Sequence, residues 1–140
     1  MKEDYILIAV DAEKKFSIRF IALEHLITES LKIHGLKDKM AQLHSEYLLA
    51  TSLLGSRLGQ KESMLFKLKF NSIDLCINSE VSPLGAMRSA LFPNQNKDLF
   101  DGKLDGQLFV ERLKQGSEVY KSIVNVDDDS IEAVMNHYLE

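Results

Sequence analysis

One cysteine, Cys76, two prolines and no tryptophan are all that this 140-residue chain holds of those types. A lone cysteine excludes an internal disulfide and the thiolate cluster of a structural zinc site, and it fits a reducing compartment. Scarce proline and the absence of any repetitive stretch leave nothing that reads as a linker or disordered tail. Charge of one sign is missing as well: 17 basic side chains face 21 acidic ones for a net −4, with Lys and Arg scattered among acids. Nucleic acid, which draws affinity from clustered cations, is therefore not an expected partner. The longest apolar run, Tyr47 to Leu54, is interrupted by Thr51 and Ser52 and is well short of the roughly 20 residues of a spanning helix, so no membrane partner is expected either. Tyr5 to Val10 lies between Glu3, Asp4 and Asp11, the wrong flanks for a signal peptide, and a cytoplasmic protein is the expectation.

What is present is the composition of an ordinary globular domain, 45% apolar and 27% charged, in a length that suits one core. Tyr5–Val10 and Phe16–Ile21 are β-branched and aromatic runs joined by polar residues 11–15, a predicted hairpin. Phe16, Ile18 and Phe20 share one face of it and Ser17 and Arg19 the other, so the ribbon has a wet side. Leu23, Leu26, Ile27 and Leu31 recur at helical spacing up to Gly35, placed where a left-handed cap needs no Cβ. A second helix is predicted over 38–57. In its second half Leu48, Leu49, Ala50, Leu53 and Leu54 point all round the axis, the pattern of a helix buried on several sides.

After Gly59 the period becomes two: Met64, Phe66, Leu68 and Phe70 face one way, Lys67 and Lys69 the other. Further strands are predicted at 73–77, 85–92, 107–113 and 119–126, with a loop at 82–85 and a five-residue hairpin loop at 114–118. Asp129 with Glu132 three residues on predicts a capped closing helix through Ile131, Val134, Met135, Tyr138 and Leu139. The fold class is α+β, with mostly antiparallel sheets packed around a buried central helix.

Chemistry is sparse. The four histidines, His25, His34, His44 and His137, fall on predicted helices with no two at ligand spacing, so they read as solvated or packed side chains and no metal site is assigned. Cys76 sits in an apolar strand pattern beside Asp74, where cysteine behaves as a small hydrophobe. Ser52, Ser56 and Ser89 lack a nucleophile-elbow frame. Gly102 to Gly106 lacks the ending of a phosphate loop and reads as a turn, and Asp127 to Asp129 as helix capping. No catalytic residue, no cofactor-binding residue and no cofactor are expected: the chain is not predicted to be an enzyme.

The order of its segments resembles the thirty-three-kilodalton redox-regulated heat-shock chaperones of bacteria. The resemblance is carried by Asp4-Tyr5-Ile6-Leu7-Ile8-Ala9, by His34-Gly35-Leu36, and above all by residues 48–55, Leu-Leu-Ala-Thr-Ser-Leu-Leu-Gly. Met64 to Phe70, Met87-Arg88 and the ending Ile131 to Glu140 add to it. It implies the N-terminal domain of that family: a holdase that binds unfolded protein clients without ATP, with strands around a buried helix, acting as a homodimer. The family's switch, a C-terminal zinc site of Cys-x-Cys and Cys-x-x-Cys pairs, has no counterpart in residues 1–140, which are expected to form a single N-terminal-type domain. Two departures stand out. Asn71-Ser72-Ile73-Asp74 replaces the family's Gly-Asp-Gly-Pro, and the family's domain continues past the last helix into more strand, so a fragment or a shortened paralogue is expected, with an open sheet edge that a second copy can cover. The expected function is an unregulated holdase domain whose client-binding residues the sequence does not mark. The alternatives are an assembly module that has lost client binding, and a thiol enzyme built on Cys76.

Overall fold

A computed structural model describes residues 3–82 and 85–140, so the middle of the predicted 82–85 loop lies outside the described residues. In chain order the elements are β1 (Tyr5–Val10), β2 (Ser17–Ala22), α1 (Glu24–His34), α2 (Asp38–Gly55), β3 (Glu62–Phe70), β4 (Cys76–Val81), β5 (Met87–Phe92), a 3-10 turn at Asn94–Leu99, β6 (Leu104–Lys114), β7 (Ser117–Asp128) and α3 (Ile131–Leu139). β1 and β2 form a separate antiparallel ribbon, while the other strands make a five-stranded antiparallel sheet in the order β5-β4-β3-β6-β7. The fold is the predicted α+β arrangement, with α2 touching α1, α3, β2, β3 and β4.

Alternation builds the core. Met64, Phe66, Leu68 and Phe70 of β3 are buried together with Ile77 and Val81 of β4 and Leu108 and Val110 of β6, and Met40, Leu43 and Tyr47 of α2 cover them. Register places the opposite residues on an outer face as cross-strand rows, such as Arg88-Glu80-Leu65-Glu111-Lys121 and Ala90-Asn78-Lys67-Phe109-Ile123. That face is held by side-chain pairs: Arg88 to Glu80 at 2.6 Å, and the Lys67 ammonium 6.0 Å from the Phe109 ring centroid. Such pairs add a few tenths of a kcal/mol each on an exposed sheet face.

Several boundaries differ from expectation, each for a local reason. β4 starts at Cys76, not Ile73, because Ile73 to Leu75 form a tight turn in which the Leu75 N–H donates to the Ile73 carbonyl at 2.9 Å. The strand then runs on through Asn78, Ser79 and Glu80, whose polarity hid it. Gly106 belongs to β6 instead of a turn; any Cβ there would collide with the Lys69 carbonyl of β3. The β6–β7 connection is a two-residue turn, since Gln115 and Gly116 both take left-handed φ of 52° and 80°, the twist a tight hairpin favours. α3 is capped by Ser130, not Asp129: its Oγ accepts from the Ala133 N–H at 3.2 Å.

Candidate functional site

In the β1–β2 ribbon the apolar face is the wet one. Pairing of Tyr5 with Ala22, Leu7 with Phe20 and Ala9 with Ile18 places these six residues on one face, and Tyr5, Leu7 and Phe20 are each more than half exposed. The other face, with Ile6, Arg19 and Ile21, is the less exposed one. The Arg19 Nε is fully buried without a hydrogen-bond partner among the described residues. A long aliphatic stem lets an arginine cover apolar surface in this way. Phe16, Ile8, Val10 and Ile18 are also close to half exposed or more, so nearly the whole ribbon displays apolar surface of a kind that ordinarily marks a binding site.

Beside the ribbon runs an open groove of about 620 Å³ between β2, α2 and α3. Its walls include Phe20, Leu49, Leu53, Leu54, Met135 and Leu139, with Arg19, Glu46 and Glu132 at the rim. Here the all-round apolar pattern of α2 divides: Leu48, Thr51 and Ser52 are buried, whereas Leu53 is 41% exposed along the groove. The burial on several sides expected for this stretch therefore fails at Leu53, while Leu54 still packs against the core. The outward face of the ribbon had no sequence signal, because an amphipathic strand looks the same whichever side is covered.

The polar residues singled out by sequence disperse, with one exception. His137 Nδ1 lies 3.1 Å from Asp128 Oδ2, and His25 is exposed on α1. Among the described residues no three His, Cys, Asp or Glu side chains converge as metal ligands. Cys76 is on the outer face of β4, where burial first of all raises its thiol pKa against the lowering effect of Lys67 and Lys69. A raised pKa means less thiolate, the wrong direction for a nucleophile.

The exception joins His34 and His44, whose rings meet edge to face with centroids 5.6 Å apart. His44 Nε2 is 2.9 Å from Ser30 Oγ and 3.2 Å from Ser89 Oγ. A serine beside a histidine is the beginning of a nucleophile–base pair, but His44 Nδ1 is buried with no partner, so nothing orients the ring as a triad's third member does. Deeper on α2, Thr51 Oγ1 meets Ser79 Oγ at 2.9 Å and the Tyr47 hydroxyl donates to the Ile77 carbonyl at 3.3 Å. These bonds tie the helix to β4.

A family model described as Hsp33 protein matches residues 4–140. No curated protein matches the chain. Among solved structures, a 33 kDa chaperonin (heat shock protein 33 homolog) from Thermotoga maritima superposes with a TM-score of 0.76 at 18% identity, over 96% of this chain and 49% of that one. The chain thus spans about half the length of that structure.

Proposed function

Because the chain belongs to the Hsp33 family, which is a family of chaperones, we propose that it holds unfolding proteins in the cytoplasm without ATP, through the outward ribbon face and the groove next to it. The observation that carries this reading is the exposed apolar face of Tyr5, Leu7, Ile18 and Phe20. Unfolding chains present apolar side chains and unpaired backbone. The ribbon offers apolar contact area, and its unpaired strand edges offer backbone hydrogen bonds, which together suit an extended client of varied sequence. With one cysteine in 140 residues, binding within this chain runs without a thiolate switch, and no group in it calls for a cofactor.

Aggregation of a heat-unfolded client, followed by light scattering with and without peroxide, tests this reading. Suppression that is equal in both conditions is expected, and the double variant Leu7→Ser/Phe20→Ser should keep its circular dichroism spectrum and lose most of the suppression. Wild-type protein that leaves aggregation untouched sinks the holdase reading, and a large oxidant response sinks its unregulated part. The unpaired edges of the two-stranded ribbon favour one second reading, an assembly module in which another copy covers the same face. That reading predicts a tight dimer by sedimentation that binds no apolar dye.

A further inference from the structure

α1 is held by few means. None of its residues is fully buried, Leu31 packs against the core, and among the described residues three polar ties join it to the rest of the chain. At its start the Asp4 carboxylate accepts from the His25 and Leu26 N–H groups, both at 2.8 Å. At its end the Lys97 ammonium donates to the His34 carbonyl at 2.9 Å. The third tie is the cluster of Ser30 and His34 from α1, His44 from α2 and Ser89 from β5, the only one made of imidazoles, which titrate in the mildly acid range.

The donors of this cluster can be assigned by elimination. His44 Nδ1 is buried and partnerless, and a bare lone pair is tolerated there more readily than an unmet N–H. The proton therefore sits on Nε2 and is donated to Ser30 Oγ at 2.9 Å. Ser30 donates onward to Ser89 Oγ at 3.3 Å, and Ser89 to His34 Nε2 at 3.5 Å. This chain needs both rings neutral. A proton added to His44 creates an N–H with no acceptor inside the core, and one added to His34 turns the final acceptor into a donor.

The neighbours offer no relief. Asp4, His25 and Glu29 line the adjoining 480 Å³ cavity together with Arg88 of β5. Lys97 approaches from the 3-10 turn. The Asp4 carboxylate is engaged with backbone, and no carboxylate hydrogen-bonds either ring among the described residues.

We propose that the Ser30–His34–His44–Ser89 cluster is an acid-sensitive latch whose protonation frees α1 from α2 and β5 while the α2-backed sheet stays folded. Release uncovers Leu48, a buried residue that lines the same cavity. Burial, with the His34 charge adding to it, lowers the His44 pKa from 6.5 to about 4. An opened state with an ordinary imidazole binds the proton more readily, so the opening constant grows about 20-fold from pH 7 to pH 5.

Native-state hydrogen exchange on the full chain, expressed as protection factors so that intrinsic pH effects cancel, tests the latch. Amides of Glu24–His34 should lose protection by about 20-fold from pH 7 to pH 5, exchange ahead of those of Phe66 and Leu108 at both pH values, and have that loss flattened by His44→Gln. Constant α1 protection, or α1 and sheet amides sharing one common protection at each pH, overturns the proposal. Should His44→Gln fail to fold, Ser89→Ala serves instead. It leaves both rings in place and removes the links that run through the Ser89 hydroxyl, so α1 should already be less protected at pH 7, and unchanged protection there overturns the latch.

Discussion

At the scale of single residues, the interior of this chain is settled by a few polar atoms and one missing methyl group. Thr51 and Ser79 are both fully buried and satisfy each other. Thr51→Val should therefore cost roughly 1–3 kcal/mol by stranding the Ser79 hydroxyl. Adding Ser79→Ala should recover part of it, and chemical denaturation of the four proteins of the cycle measures the coupling. His44 makes stability depend on pH with a definite sign. Its folded pKa is depressed from 6.5 to about 4, so its unfolded form binds the proton first. Its contribution is present in full above pH 6.5 and is lost as pH falls toward 4, to a total of about 3 kcal/mol. Urea unfolding across that window should show the slope in wild type and not in His44→Gln. Gly106→Ala should be more damaging than either polar change, since the added Cβ meets the Lys69 backbone carbonyl and no side chain can yield. About 3 kcal/mol or more is expected by the same denaturation assay.

At the scale of elements, helical and two-residue periods gave β3, α1, α2 and α3 within a residue or two, and the β-branched, aromatic run Tyr5–Val10 gave β1. Gly35 takes the left-handed cap that its position predicts, with φ 63°. β4 was the weak point, because its inward Ser79 is satisfied by a threonine 28 residues away, a partnership no local pattern can signal. The hydroxyl that caps α3 was one residue from the predicted one, and Ser130→Ala should cost about 1 kcal/mol of thermal stability while Asp129→Ala costs less. The candidate site was less legible than the fold. Strand periodicity identified two faces of the ribbon, but which one leans on α2 is decided by packing with Ile6, Arg19 and Ile21. The His34–His44 pairing likewise depends on how α1 crosses α2.

At the scale of the whole molecule, apolar surface is divided unevenly. The sheet's outer face mixes charged and polar residues with a few exposed apolar ones such as Phe92 and Ile123, whereas the ribbon and groove are apolar almost throughout and open. The described residues include no helix long and apolar enough to cross a membrane. An apolar dye should bind at pH 7 without any denaturant, and Leu7→Ser/Phe20→Ser should reduce its fluorescence severalfold.

A ribbon that wears its greasy side outward also sets a limit on dose. On the holdase reading proposed above, a surface tolerant enough to take many strangers takes its own kind too, and the net −4 gives only mild mutual repulsion. Each added molecule then occupies some of its neighbours, so the protection delivered per molecule should be greatest in dilute solution and decline as the solution thickens.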